Sequence, residues 1–135
     1  MQKPCLADLV KEALLQTGCN PELIQQLDSH ATVQIDLNEA PSIYIGNLND
    51  HVVIWSDLCE FHQSIVRHCA DALLEELMTG FQYGRNQQLV LRESEGQLQI
   101  YSDLIEESLS DPIVMAKAIN EFFECQTRIV EIIRQ

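Results

Sequence analysis

Five short strand-like runs, most of them alternating apolar and polar residues, fall in two groups, three before and two after one helical stretch. This grouping limits the fold more than any other feature, because strands that follow one another through short connections pair antiparallel. Thr32–Leu37 sets Val33, Ile35 and Leu37 on one face and Thr32, Gln34 and Asp36 on the other. Ala40-Pro41 reads as a turn, and Ser42–Gly46 places Ile43 and Ile45 opposite Tyr44. Asn47–Asp50 has hairpin-turn chemistry, and His51–Ser56 is apolar on both faces, as in a central or doubly covered strand. Gln88–Arg92 and Gly96–Tyr101 alternate again, joined by the tight-turn sequence Glu93-Ser94-Glu95-Gly96.

Helical signals surround these runs. Cys5–Thr17 carries Leu6, Leu9, Val10, Ala13 and Leu14 at helical spacing before Gly18. Asn20-Pro21-Glu22 offers an N-cap, a first-turn proline and an acid, which predicts a short helix to about Gln26. Ser110-Asp111-Pro112 opens a long helix to about Ile133, with Ala116, Ile119, Phe123, Val130 and Ile133 as its apolar stripe. The strand-bearing order is α-β-β-β-α-β-β-α. It predicts one α+β domain over residues 1–135, a twisted antiparallel sheet covered by helices.

The helical stretch between the two groups, Gln63–Thr79, contains no Gly or Pro. At about 100° per residue its apolar side chains cover about 240° of the circumference, whereas a surface helix on one core needs little over about 100°. It therefore has two surfaces to bury. The second could meet another helix of the same chain or another molecule, and periodicity alone does not choose. If another molecule, the contacts fall on Val66, Cys69, Ala70, Leu73, Leu74 and Leu77. The strands pose a similar question. With Val33, Ile35, Ile43, Ile45, Leu89 and Leu91 turned to the core, Tyr44, Val53, Trp55, Val90 and Tyr101 include side chains that point away from it. Such positions suit an extended or helical peptide unless further helices cover them.

Charge narrows the choice of partner. Twenty-one acidic against eight basic residues leave a net charge of −13, spread along the chain. That surface repels phosphate backbones and anionic lipid, so nucleic acid and membrane are not expected partners. No apolar run reaches the ~20 residues of a membrane span, and a cleaved leader is not expected. The five cysteines form no close pair and read as free thiols of a reducing compartment.

Catalytic and metal chemistry find little support. Cys59, His62, His68 and Cys69 lie close in sequence, but no second ligand pair accompanies them, so no metal or other cofactor is expected. Asp28-Ser29-His30 holds the residue types of a triad, yet triad members come from separate segments, and Asp and Ser before a strand are ordinary turn residues. No glycine loop suits a phosphate, and no catalytic residue is assigned.

The wording of ADLVKEALLQTGCNPELIQQLDSHATVQIDLNEAPSIYI (Ala7–Ile45) resembles the class I chaperones of type III secretion systems. The likeness is to the multi-effector class IB kind of the InvB/SpaK type. Gly18-Cys19, Leu27-Asp28-Ser29-His30, Pro41-Ser42-Ile43 and the position of Trp55 carry it, while residues beyond Gly80 match in pattern more than in letters. The resemblance implies a bacterial cytoplasmic homodimer without enzymatic activity. It would bind the N-terminal segments of effector proteins, keep them extended, and hand them to the export apparatus, with its ATPase as a further partner. It also implies that the second long helix contributes to the dimer interface. The competing expectation is a small acidic α+β scaffold or regulatory domain that binds a folded protein.

Overall fold

A computed structural model describes residues 6–16, 24–28, 32–37 and 39–135, with backbone alone for 24–28. Its elements are α1 (Leu6–Gln16), β1 (Ile24–Asp28), β2 (Thr32–Leu37), β3 (Ala40–Leu48), β4 (His51–Glu60), α2 (Gln63–Thr79), β5 (Val90–Ser94), β6 (Gln97–Asp103), α3 (Glu106–Ser110) and α4 (Pro112–Arg134), with a 3-10 turn at Arg85–Gln87. Six strands form one antiparallel sheet in the order β1-β2-β3-β4-β6-β5. The fold is thus α+β, as the grouping of the runs requires.

Two of the connections explain themselves. In the β3–β4 hairpin Leu48 pairs with His51, and the two residues between them, Asn49 and Asp50, have φ of 50° and 66°. In the β5–β6 hairpin Ser94 pairs with Gln97 around Glu95 and Gly96, at 51° and 82°. Positive φ at both central positions is the turn whose twist matches paired strands. α4 begins where Asp111 accepts a hydrogen bond from Ile113 N at 2.9 Å, with Pro112 in the first turn.

Several boundaries differ from expectation. The short helix expected to reach Gln26 is contradicted at its end: Ile24–Asp28 is a strand, with Ile24 opposite Ile35 and Gln26 opposite Val33. Pairing with β2 satisfies this backbone in a way the local capping signal does not reveal. Ala40-Pro41 lies inside β3, β4 runs on to Glu60, and α3 carried no signal that was read. On α4 the buried stripe is Met115, Ala116, Ala118, Ile119, Phe122, Cys125, Gln126 and Ile129, so Phe122 faces inward and Phe123 is exposed.

One hydrophobic cluster joins α1 (Leu9, Val10, Ala13, Leu14), one sheet face (Val33, Ile35, Ile43, Ile45, Ile54, Ile100) and α4. A buried polar clamp fixes α4 on the sheet. Gln126 Nε2 donates to Pro41 O and to Ser56 Oγ, both at 2.7 Å, and Ser56 Oγ donates to Ser42 O at 2.8 Å. After α2 the chain tucks Phe81 edge-on against Phe122, with ring centroids 5.7 Å apart. Gly84 lies so close to β6 that a Cβ would stand 2.2 Å from Ser102 Oγ.

Candidate functional site

α2 packs one side of its broad apolar arc toward α4. Leu73 joins the cluster at 3% exposure, and Cys69 and Leu77, one turn to either side, pack partly buried against it. The opposite edge is open: Arg67 and Ala70 are exposed, Leu74 is 58% and Met78 77% exposed, and Val66 is half-buried. Leu73 is therefore corrected as an intermolecular contact, because its own chain encloses it. Glu76 and Arg128 pair across α2 and α4. The helix departs from helical geometry at Cys69 (φ −122°, ψ 23°), whose thiol donates to Ile65 O at 2.9 Å.

The second open surface is the sheet face turned away from the cluster. Gln34 pairs with Tyr44, Tyr44 with Trp55, Trp55 with Tyr101, and Tyr101 with Val90, so five strands contribute one residue each to a cross-strand row. Every member is half-exposed, and none belongs to the hydrophobic cluster or packs against it. Four of the five candidate side chains, Tyr44, Trp55, Val90 and Tyr101, lie in this row. The fifth, Val53, is a correction: on the middle strand, between Gly46 and Asp103, it is only 4% exposed and offers no surface.

Tyr44 and Trp55 stack at 5.5 Å and 15°. Beside them Asp36 Oδ1 accepts from Gln34 Nε2 at 2.6 Å and from Ser42 Oγ at 2.9 Å. Further along, Gln99 Nε2 donates to Asp57 Oδ1 at 3.0 Å, and Arg92 Nε donates to Gln99 Oε1 at 2.8 Å. The Arg92 guanidinium sits 4.2 Å above the Tyr101 ring. Burial, then the charges of Asp57 and Asp36, push the Tyr44 phenol above its ordinary value, so both carboxylates act on this ring. The network was missed in the sequence, where Asp36, Asp57, Arg92 and Gln99 are scattered; only their shared strand parity with Tyr44, Trp55 and Tyr101 signals it.

Other candidates gain nothing. Burial, then the neighbouring Cys69, raises the Cys59 thiol, and burial raises that of Cys125, the reverse of an activated thiolate. Among the described residues no three His, Cys, Asp or Glu side chains are grouped to hold a metal. No described helix is long and apolar enough to cross a membrane. Ser29, His30, Cys5 and Cys19 lie outside the described residues.

Comparison with known proteins gives this geometry a context. The model of the invasion protein B family matches residues 18–95. The "Surface presentation of antigens protein SpaK" of Salmonella typhimurium is 36% identical over 123 residues, 91% of each chain. The chain belongs to the invasion protein B family. This is a family of type III secretion chaperones, proteins that bind effectors. The SpaK of Salmonella typhi is similar to the same extent, 36% over 123 residues. Among solved structures, a chain of the heterodimeric ExoU–SpcU complex from the type III secretion system of Pseudomonas aeruginosa shares the fold. Its TM-score is 0.53 at 16% identity, over 91% of this chain and 96% of that one.

Proposed function

We propose that this invasion protein B family member is a bacterial cytosolic chaperone, of the class IB kind, for the N-terminal segments of effector proteins. It holds each segment extended and competent for export, and presents it to the export apparatus and its ATPase. The observation that carries this reading is the half-exposed row Tyr44–Trp55–Tyr101–Val90 on a sheet face outside the hydrophobic cluster. A row crossing the strands offers successive apolar contacts to one extended chain. The heterodimeric complex formed by the neighbour of the same fold supports a protein partner for this one.

The working unit is a homodimer built on the open edge of α2, where Ala70 and Leu74 are the contacts, Val66 and Met78 flank them, and Cys69 and Leu77 lie toward the protomer's own core. Light scattering should give about twice the 15.4 kDa chain mass. Leu74→Asp, at an exposed position, should give folded monomers, and an intact dimer from that variant would remove α2 from the interface. Co-expression with N-terminal fragments of secreted proteins tests the function. Co-purification of such fragments is expected, whereas capture of a folded partner alone would replace the reading with a scaffold.

A further inference from the structure

Two carboxylates flank the aromatic pair of the row without a cation. Among the described residues Asp36 receives only the neutral donors of Gln34 and Ser42, and Asp57 only that of Gln99. The ion pairs found there involve Glu60, Glu106 and Glu76 instead. The stacked rings of Tyr44 and Trp55 both remain half-exposed. Electron-rich ring faces attract cations within about 6 Å, and adjacent carboxylates strengthen that preference. The same sheet face already shows this chemistry once, where Arg92 supplies the guanidinium above Tyr101. No residue of the described chain does so for Tyr44 and Trp55.

We infer that the Tyr44–Trp55 platform, with Asp36 and Asp57 at its sides, is a recognition subsite for one basic side chain, preferentially arginine, of the partner segment. The inference rests on the reading that this sheet face takes an extended chain, and adds what that chain must carry. Arginine fits better than lysine because its plane can stack on the rings while its fork donates to a carboxylate. A net charge of −13 favours the approach of such a segment. The subsite thus makes the surface selective, where an apolar row alone accepts any hydrophobic stretch.

Trp55 is the only tryptophan, so its emission reports this subsite alone. The probes are three synthetic peptides, acetyl-Val-Thr-Ile-X-Val-Thr-Ile-amide, with X as arginine, as citrulline, its uncharged near-isostere, or as lysine. The arginine peptide should shift Trp55 emission with saturation and bind at least ten-fold more tightly than the citrulline peptide, with lysine between. Asp57→Asn and Asp36→Asn should shrink the arginine–citrulline gap without altering the far-ultraviolet dichroism of the protein. Equal affinity for the arginine and citrulline peptides, a gap unchanged in both variants, or no binding of any peptide would overturn the subsite. A shift of Trp55 emission with protein concentration alone would give the face to a second copy of the chain and overturn it too. Effector fragments that still co-purify would leave the chaperone reading standing; their failure to do so would remove that reading and the inference together.

Discussion

Gln126 offers a sharp test of how the sheet and its covering helix are joined. Its side chain is fully buried, donates to Pro41 O and Ser56 Oγ at 2.7 Å each, and leaves Oε1 without a partner among the described residues. Gln126→Ala deletes two buried hydrogen bonds, each worth about 1 kcal/mol net, and strips donors from two enclosed acceptors. The vacated space adds about 1–2 kcal/mol, and loss of the unpartnered Oε1 returns about 1 kcal/mol, for a net cost of about 2.5 kcal/mol. At roughly 2.1 cal/mol/K of unfolding entropy per residue, that lowers Tm by about 9 °C for a chain of this length. Thermal unfolding followed by circular dichroism, with a urea titration for the free energy, reads the effect. Gln126→Leu keeps the volume and removes the orphan oxygen, and should cost only about 1 kcal/mol. Combining Gln126→Ala with Ser56→Ala should fall short of the sum of the single effects by about 1 kcal/mol, because both delete the same bond. A Gln126→Ala loss below about 0.5 kcal/mol, or strict additivity, would refute the clamp.

Three further perturbations follow from the same description. Gly84→Ala would drive a Cβ to 2.2 Å from Ser102 Oγ and 2.7 Å from Gln88 O, and should cost more than about 2 kcal/mol in urea unfolding; a neutral result would mean that the loop is not held against β6. Because burial raises the Cys125 thiol, the protonated form is favoured in the fold, so its stabilisation is full below the unfolded thiol value and fades as pH rises through the folded one. Wild-type stability should therefore drop more steeply than that of Cys125→Ala above about pH 8.5, and parallel curves would contradict this. Removing the partly exposed Arg128–Glu76 pair with Glu76→Gln should cost no more than about 1 kcal/mol and less still in 1 M salt, and a larger, salt-insensitive loss would show a buried role.

Much of this was legible in the sequence where one local rule acted alone. Strict alternation marked β2 and β6, the turn residues of Asn47–Asp50 and Glu93-Ser94-Glu95-Gly96 marked the hairpins, and the double-sided apolarity of His51–Ser56 marked the middle strand. The reading failed where a distant partner decides. Ile24–Asp28 is a strand only because β2 lies beside it. Phe122 and Phe123 are equivalent in composition, and which faces inward depends on how α4 rotates against α1 and the sheet. Leu73 and Leu74 divide the same way on α2. For the candidate site, strand parity found Tyr44, Trp55, Val90 and Tyr101. It could not show that Asp36 and Asp57 act on the same tyrosine, since β2 and β4 are brought to Tyr44 only through β3.

The strand order also has a consequence for how the polypeptide acquires its shape. Strands β1 to β4 pair with sequence neighbours, so this meander can close as soon as Glu60 is made. Its inner face of Val33, Ile35, Ile43, Ile45 and Ile54 is finally covered by α4, which starts only at Pro112. During synthesis, at about 5–20 residues per second, a paired sheet whose apolar side has only α1 to cover it therefore precedes its full cover by several seconds. A protein proposed to shield unfolded segments of others passes through an interval in which its own sheet is only partly shielded.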